Sequence, residues 1–373
     1  MTAGVEATWQ APTEPLTHSG HTVEWISQPH RFEAIAEQWD RLAATEGTPF
    51  SLHAWLAAWW AAFGEGDRMR VCVLWRGDTL VAGLPLAATT GGLAAMSNDH
   101  TPLLRPLAAD AGARAALCAA LLDHRAGQLV LRGLPDEPDL AALVTAAGER
   151  GRAVLIEPRH TSPIVDTSGE FEAWRGETKR RWGSPIERFR RKGQRENEGS
   201  LRIVEPPREL ERELALGFEV EASGWKGRSG TAVLSDPRTA RFYLEVARAF
   251  DRRGELRLSG LSLDGKLAAF DYSILHGNRL WLLKTGFDEA FRRLAPGLVL
   301  RLSIIERCFE LGLNAHELLG GEDEWKLKFS TAERRHVCLR SYRRAPVPLA
   351  RYVYRRRLRP PLRAAYRRLR PAA

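Results

Sequence analysis

The stretch from Leu280 to Leu313 constrains the fold more than any other part of the chain. An apolar run, Leu280-Trp281-Leu282-Leu283-Lys284-Thr285, leads into Phe287-Asp288-Glu289-Ala290-Phe291-Arg292-Arg293-Leu294-Ala295-Pro296-Gly297. Leu298, Leu300, Leu302, Ile304, Ile305 and Phe309 then recur at helical spacing. The order predicted is buried strand, small-residue turn, amphipathic helix. Within the turn, Arg292, Ala295 and Gly297 fit the pattern Arg/Gln-x-x-Gly/Ala-x-Gly/Ala. Small residues let the backbone close on an anion, consecutive N–H groups aim at it, and the helix N-terminus adds a favourable dipole. A plain strand-to-helix connection would use the same residues, so the surroundings have to decide.

The pattern resembles the pyrophosphate-binding turn of Gcn5-related N-acyltransferases (GNAT). Two further motifs accompany it in order: Glu221-Ala222-Ser223-Gly224-Trp225-Lys226 upstream, and Gly320-Gly321-Glu322-Asp323-Glu324-Trp325-Lys326 downstream. Together they resemble the acyltransferase domain of the CelD/BioF2-like family, related to the Fem-type aminoacyltransferases, over roughly residues 160–342. Trp39-x-x-Leu42, Pro49-Phe50, Trp55-x-x-x-Trp59-Trp60 and Phe63-Gly64 resemble that family's amino-terminal half. The resemblance implies an α/β fold with mixed sheets (α+β), built from tandem GNAT-like domains in a Fem-like arrangement.

The chain of 373 residues suits two domains of ordinary size. The expected division is a disordered leader (1–20), a degenerate N-terminal GNAT-like domain (21–160), a C-terminal catalytic domain (161–345) and an Arg-rich tail (346–373). The first domain has no small-residue turn of this kind after a strand, so it is not expected to hold an acyl donor. Its sequence predicts helices near 31–44, 52–63, 111–122 and 136–149, and strands near 22–26, 71–75, 80–86, 129–131 and 152–156. Arg76-Gly77-Asp78 reads as a hairpin turn rather than an adhesion motif. In the second domain, helices are predicted near 171–181, 185–198, 208–224 and 236–251, with Asp236 as N-cap and Pro237 in the first turn. A strand near 201–204 precedes a meander, 256–262, 266–275 and 279–285, turned by Asp264-Gly265 and Gly277-Asn278. The binding turn and its helix follow, then strands 315–319 and 336–341.

The net charge of +9 has to be located before it is interpreted. Twelve arginines and no acids lie between Arg340 and Ala373, so the remainder carries 9 − 12 = −3. The basic character belongs to the tail, and a nucleic-acid partner is not favoured. A second basic cluster, Lys179, Arg180, Arg181, Arg188, Arg190, Arg191 and Lys192, reads either as a solvated helix face or as a rim for anionic substrate or cofactor phosphates. Cys72, Cys118, Cys308 and Cys338 are scattered among apolar neighbours without a metal-ligand spacing, as expected of buried thiols in a reducing compartment. No apolar run reaches the roughly 18 residues of a membrane span, and the N-terminus lacks a signal-peptide pattern. The expected location is cytoplasmic. The tail leaves open a peripheral position on an anionic inner membrane surface, against the alternative of a solvated extension.

In the fold that the resemblance implies, two parallel strands splay apart around the donor thioester, here 280–285 and 315–319. Unpaired backbone N–H groups would bond the pantetheine and polarise the acyl carbonyl. Acyl-CoA, acetyl-CoA in particular, is the implied co-substrate, held by Thr285, Phe287, Arg292, Arg293, Ala295, Pro296, Gly297 and Leu298. Lys284 is a weaker candidate because it could point into solvent. Direct transfer needs a deprotonated amine held near the carbonyl. Glu221, Asp271 and Lys326 are the catalytic candidates, expected to line one cleft. Glu221 could instead be a surface partner of a lysine, and Asp271 a structural hydrogen-bonding group. Trp225, Lys226, Glu322 and Trp325 are candidates for substrate contact. His276 and His316 are not expected to be essential bases, and no metal is implied.

Hydrolase triads, Walker loops and dinucleotide fingerprints are absent from the sequence. The expected function is transfer of an acyl group, acetyl by preference, from acyl-CoA to a small-molecule, sugar or peptide amine, in envelope or exopolysaccharide metabolism. The alternatives are an aminoacyl-tRNA-dependent Fem-like transferase, or a non-catalytic scaffold of envelope polysaccharide assembly.

Overall fold

The computed structural model describes residues 16–18, 20–64, 68–136, 138–196 and 199–359. Most of the expected leader and the tail beyond residue 359 lie outside the described residues. Leu16–His18, which was expected to belong to the leader, instead pairs antiparallel with His21–Ile26.

Two sheets organise the chain. A five-stranded sheet lies in the first half, made by Leu16–His18, His21–Ile26, Val71–Arg76, Thr79–Leu84 and Leu107–Ala108. An eleven-stranded sheet joins both halves. From Ser200–Glu205 it runs through Leu256–Leu263, Lys266–His276, Arg279–Phe287 and Ala315–Glu317. It then continues through Ala153–Asp166 and Ala332–Tyr342 to Gln128–Pro135 and the short strands of the first half. The expected boundary at residues 160 and 161 therefore falls inside one continuous strand. That strand pairs with Ala332–Tyr342 over most of its length and with Ala315–Glu317 at its end. The turns follow the expected chemistry: Asp264, Gly265, Gly277 and Asn278 all adopt positive φ. The two helices expected at 171–198 meet at Gly183, where φ is 42°.

The halves share a core. Phe50 meets Trp281 edge-on at 5.5 Å, and Trp55 meets Phe242 at 5.2 Å. The tryptophan-rich helix His53–Phe63 packs against Pro237–Arg252, whose Arg238 Nε donates to the Ala62 carbonyl at 2.9 Å. Edge-to-face contact of large rings gives this seam much of its apolar burial. All four cysteines are free and buried. Among the described residues, no helix is long and apolar enough to cross a membrane, and no group of three His, Cys, Asp or Glu side chains could hold a metal ion.

Candidate active site

The strand Arg279–Phe287 pairs in parallel with Ala315–Glu317 only through Arg279↔Ala315, Leu280↔His316 and Trp281↔Glu317. Beyond that point the chains part. Leu319 takes a positive φ of 51°, which turns the second chain away before it could extend the expected strand to residue 319. Between them opens a cavity of about 770 Å³, lined by Leu282–Phe287 on one side and Leu318–Gly321 on the other. One end of the cavity is the turn carrying Arg292, Ala295, Pro296, Gly297 and Leu298.

The turn is built by Ala295. Its left-handed backbone (φ 47°, ψ 49°) ends a 3-10 segment, Glu289–Leu294, and starts the helix Pro296–Glu310, with Pro296 at the first position. The Ala295 carbonyl accepts from the Leu298 and Val299 amides at 3.0 and 3.1 Å. Gly297, in the first helical turn, has no carbonyl four residues back within the helix to accept from its N–H. A Cβ on Gly297 would meet Phe287 at an ordinary 3.5 Å, so the small residue reflects the space the cavity needs rather than a packing demand of the fold. Arg292 and Arg293 are both exposed, and only Arg292 lines the cavity.

Glu221 lines the cavity and is 2% exposed. Its carboxylate accepts from Lys226 Nζ at 3.1 Å and from the Val233 amide at 2.8 Å. Lys226 also donates to the Thr285 carbonyl at 2.7 Å. Glu221 is thus partnered by a lysine, but in the interior. The pair ties the end of helix Leu210–Ser223 to the unpaired edge of the strand. Gly286 permits that approach, since a Cβ there would lie 2.5 Å from Glu221 Cα. Trp225 opens the short helix Trp225–Arg228; its side chain lies outside the described residues.

Lys326 lines the same cavity, with its three donors committed. Nζ reaches the Leu319 carbonyl at 2.9 Å, the Gly321 carbonyl at 3.2 Å and Asp323 Oδ2 at 2.8 Å. Burial lowers its pKa, and Asp323 opposes that shift. Its geometry is that of a pin holding the loop after the splay. Trp325 lines the cavity between two cations, Arg301 at 5.4 Å and Lys326 at 5.5 Å from its ring centroid. Glu322 is exposed and does not line the cavity.

Asp271 is not brought into the cleft with Glu221 and Lys326. It is 1% exposed and paired with Arg301, itself 1% exposed, on the helix that follows the turn. Burial raises the Asp271 pKa, chiefly against the opposing effect of Arg301. A mid-strand carboxylate among apolar residues demands a partner, and here that partner is an arginine of the fold. His276 bonds Glu255 and His316 bonds Arg301; neither lines the cavity.

Sequence reasoning missed the cavity's far wall. Asn98, Asp99, His100, Arg132, Arg159 and His160 reach it from the first half, and Tyr243 from the helix Pro237–Arg252. Lys284, the weaker candidate that could equally have pointed into solvent, lines the cavity, with Nζ 4.6 Å from the centre of the Tyr243 ring.

A splayed parallel pair, a small-residue turn and the helix behind it define a GNAT-type acyltransferase fold. Residues 179–327 match the family of the Acetyltransferase (GNAT) domain, and on that match the protein is an enzyme of the acyltransferase class. The C-terminal domain of a putative lysylphosphatidylglycerol synthetase from Agrobacterium fabrum is similar in structure. It has a TM-score of 0.52 and 12% identity over 87% of this chain and 97% of that one. FemX is similar at TM-score 0.52 and 11% identity, over 84% and 96%. L-PGS from Bacillus licheniformis gives 0.50 and 14%, over 87% and 95%. At these identities the likeness is one of fold. No curated protein sequence matches the chain.

Proposed function

We propose that this protein moves an acyl group, acetyl by preference, from acyl-CoA directly to an amine. The observation that carries the reading is the continuity of one cavity from the Arg292–Leu298 turn, along the unpaired edge of Leu282–Phe287, to the loop after the splay. The pyrophosphate would lie on the first-turn amides beside Arg292, with the pantetheine along the strand edge and the thioester in the wedge. Thr285, Phe287, Ala295, Pro296, Gly297 and Leu298 would form the donor site. Glu221 and Lys226 would border the acyl end, and Lys326 would keep the opposite loop in place. The acceptor would enter past the first-half wall, which makes that half part of the site although it holds no donor. The CelD/BioF2 resemblance favours an acceptor of envelope or exopolysaccharide metabolism.

The test is calorimetric titration of the full chain with acetyl-CoA, repeated with Gly297→Glu. Because the position accepts a Cβ, the variant should fold as the parent does. It should nonetheless lose at least about tenfold in affinity, since a carboxylate would face the pyrophosphate. A folded parent that binds no acetyl-CoA, or a variant that binds it equally well, would overturn the assignment.

A further inference from the structure

Three features set Lys284 apart from the other lysines of the cavity. Lys226 and Lys326 are both tied to carboxylates and carbonyls, at 2.7–3.2 Å. Lys284, among the described residues, has neither a hydrogen bond nor an ion pair, and rests on the face of Tyr243. It lies in the part of the strand that has lost its parallel neighbour, three residues beyond the last paired position, Trp281. It therefore stands at the mouth of the splay, where the proposed donor's thioester would come.

The Tyr243 ring is held by a chain of hydrogen bonds that crosses from one half to the other. Thr239 donates its hydroxyl proton to Asp236 at 2.6 Å, so its oxygen is free to accept from His100 Nε2 at 3.3 Å. His100 Nδ1 is then left to accept from the Tyr243 hydroxyl at 3.2 Å. Burial, aided by Lys284, lowers the His100 pKa to about 4, so the ring is the neutral acceptor this arrangement needs. Tyr243 thus presents a fixed aromatic face to Lys284 and directs its own proton away.

We propose that Lys284 is the general base of this acyltransferase. The inference rests on the donor site described above. In the step envisaged, neutral Lys284 takes a proton from the acceptor's ammonium group. The freed amine attacks the thioester carbon; the C–N bond forms and the C–S bond breaks. The new amide nitrogen sheds its second proton to the departing CoA thiolate, and Lys284 returns its proton to solvent. A base for this task should titrate near the working pH. Burial brings Lys284 down to about 8; Lys226 adds to the shift and Glu221 opposes it. Besides these two, Tyr243 and His100 face it from the helix and the first-half wall. Among the described residues, no other amine of the cavity combines freedom from carboxylate and carbonyl partners with this position.

Bromoacetyl-CoA tests the placement without a known acceptor, because its reactive carbon occupies the acyl position and alkylates a neutral amine within reach. The expected result is single alkylation at Lys284, with a rate that rises with pH about a midpoint near 8 and protection by excess acetyl-CoA. Lys284→Met should reduce alkylation at least about tenfold while binding acetyl-CoA as the parent does. Lys284→Arg, which keeps the charge without a usable electron pair, should behave the same way. Alkylation of Lys226, Lys326 or another residue in a parent that binds acetyl-CoA would overturn the assignment. So would a Lys284 midpoint at or above about 10, the value of an ordinary lysine. A folded parent that binds no acetyl-CoA would instead refute the donor site, and this inference with it.

Discussion

Arg301 donates from Nη1 to His316 Nε2 at 2.6 Å, while His316 Nδ1 donates to the Leu280 carbonyl at 3.0 Å. A guanidinium can only donate, so the imidazole is neutral and its tautomer is fixed. Arg301 also pairs with Asp271. One side chain from the helix behind the binding turn thereby ties together three strands, through Asp271, Leu280 and His316. The tie lies at the level where parallel pairing stops. The strands are thus tied beside the wedge by a buried polar group whose members do not themselves line the cavity.

Removing one end of that tie should cost stability rather than donor affinity. Asp271→Ala leaves a buried guanidinium without its carboxylate, and loss of one partner of a buried pair costs about 3–5 kcal/mol. Asp271→Asn, which keeps an acceptor oxygen, should cost less. Urea unfolding measures both, and acetyl-CoA titration of the Asn variant should give the parent's affinity. A stable Asn variant with weakened binding would return Asp271 to the site.

Acid should weaken the fold through its buried neutral imidazoles. Burial and Arg301 lower the His316 pKa to about 3; burial and the stacked His160 bring His336 to the same value. In the unfolded chain both titrate near 6.5, so between pH 6.5 and 3 the unfolded state binds more protons than the folded one. Stability is therefore full above about 6.5 and falls as pH drops towards 3, by up to about 1.4 kcal/mol per pH unit for each histidine. Replacing His316 by Gln should lower stability at pH 7.5 and flatten the decline measured down to pH 4.5. An unchanged slope would mean that His316 is protonated in the folded protein.

Sequence patterns foretold the local elements of the second half well, because Asp264-Gly265, Gly277-Asn278 and the Ala295 turn act through their own backbones, and Asp236 through a side-chain cap on the Arg238 and Thr239 amides. The placement of Glu221 and Lys326 at one cavity was likewise legible from motif order. What escaped were relationships between distant segments. Asp271 gives no sign in sequence that its partner is Arg301, thirty residues on in a helix that reads as apolar. Nor does His100 show that it will hold Tyr243 across the interface. The boundary at residue 160 failed for a similar reason: the strand Ala153–Asp166 is continued by pairing with Ala332–Tyr342, which no local pattern encodes.

The tail offers a separate test. Its first part docks on the body, where Glu157, bonded at 2.6 Å to Arg340 of the last strand, also accepts from the tail's Arg355 at 3.2 Å, while Val347, Val353, Tyr354 and Leu358 stay exposed beside Arg356 and Arg357. Basic residues near an anionic bilayer contribute about 1 kcal/mol each, and apolar neighbours add interfacial burial. The full chain should cosediment with phosphatidylglycerol vesicles at low salt and be released by roughly 0.5 M salt, where surface charges are screened. A chain ending at Arg344 keeps Tyr342, which is buried in the last strand, and so should fold. It should lose vesicle binding and keep acetyl-CoA binding. Equal partitioning of the two chains would show that the tail is a solvated extension.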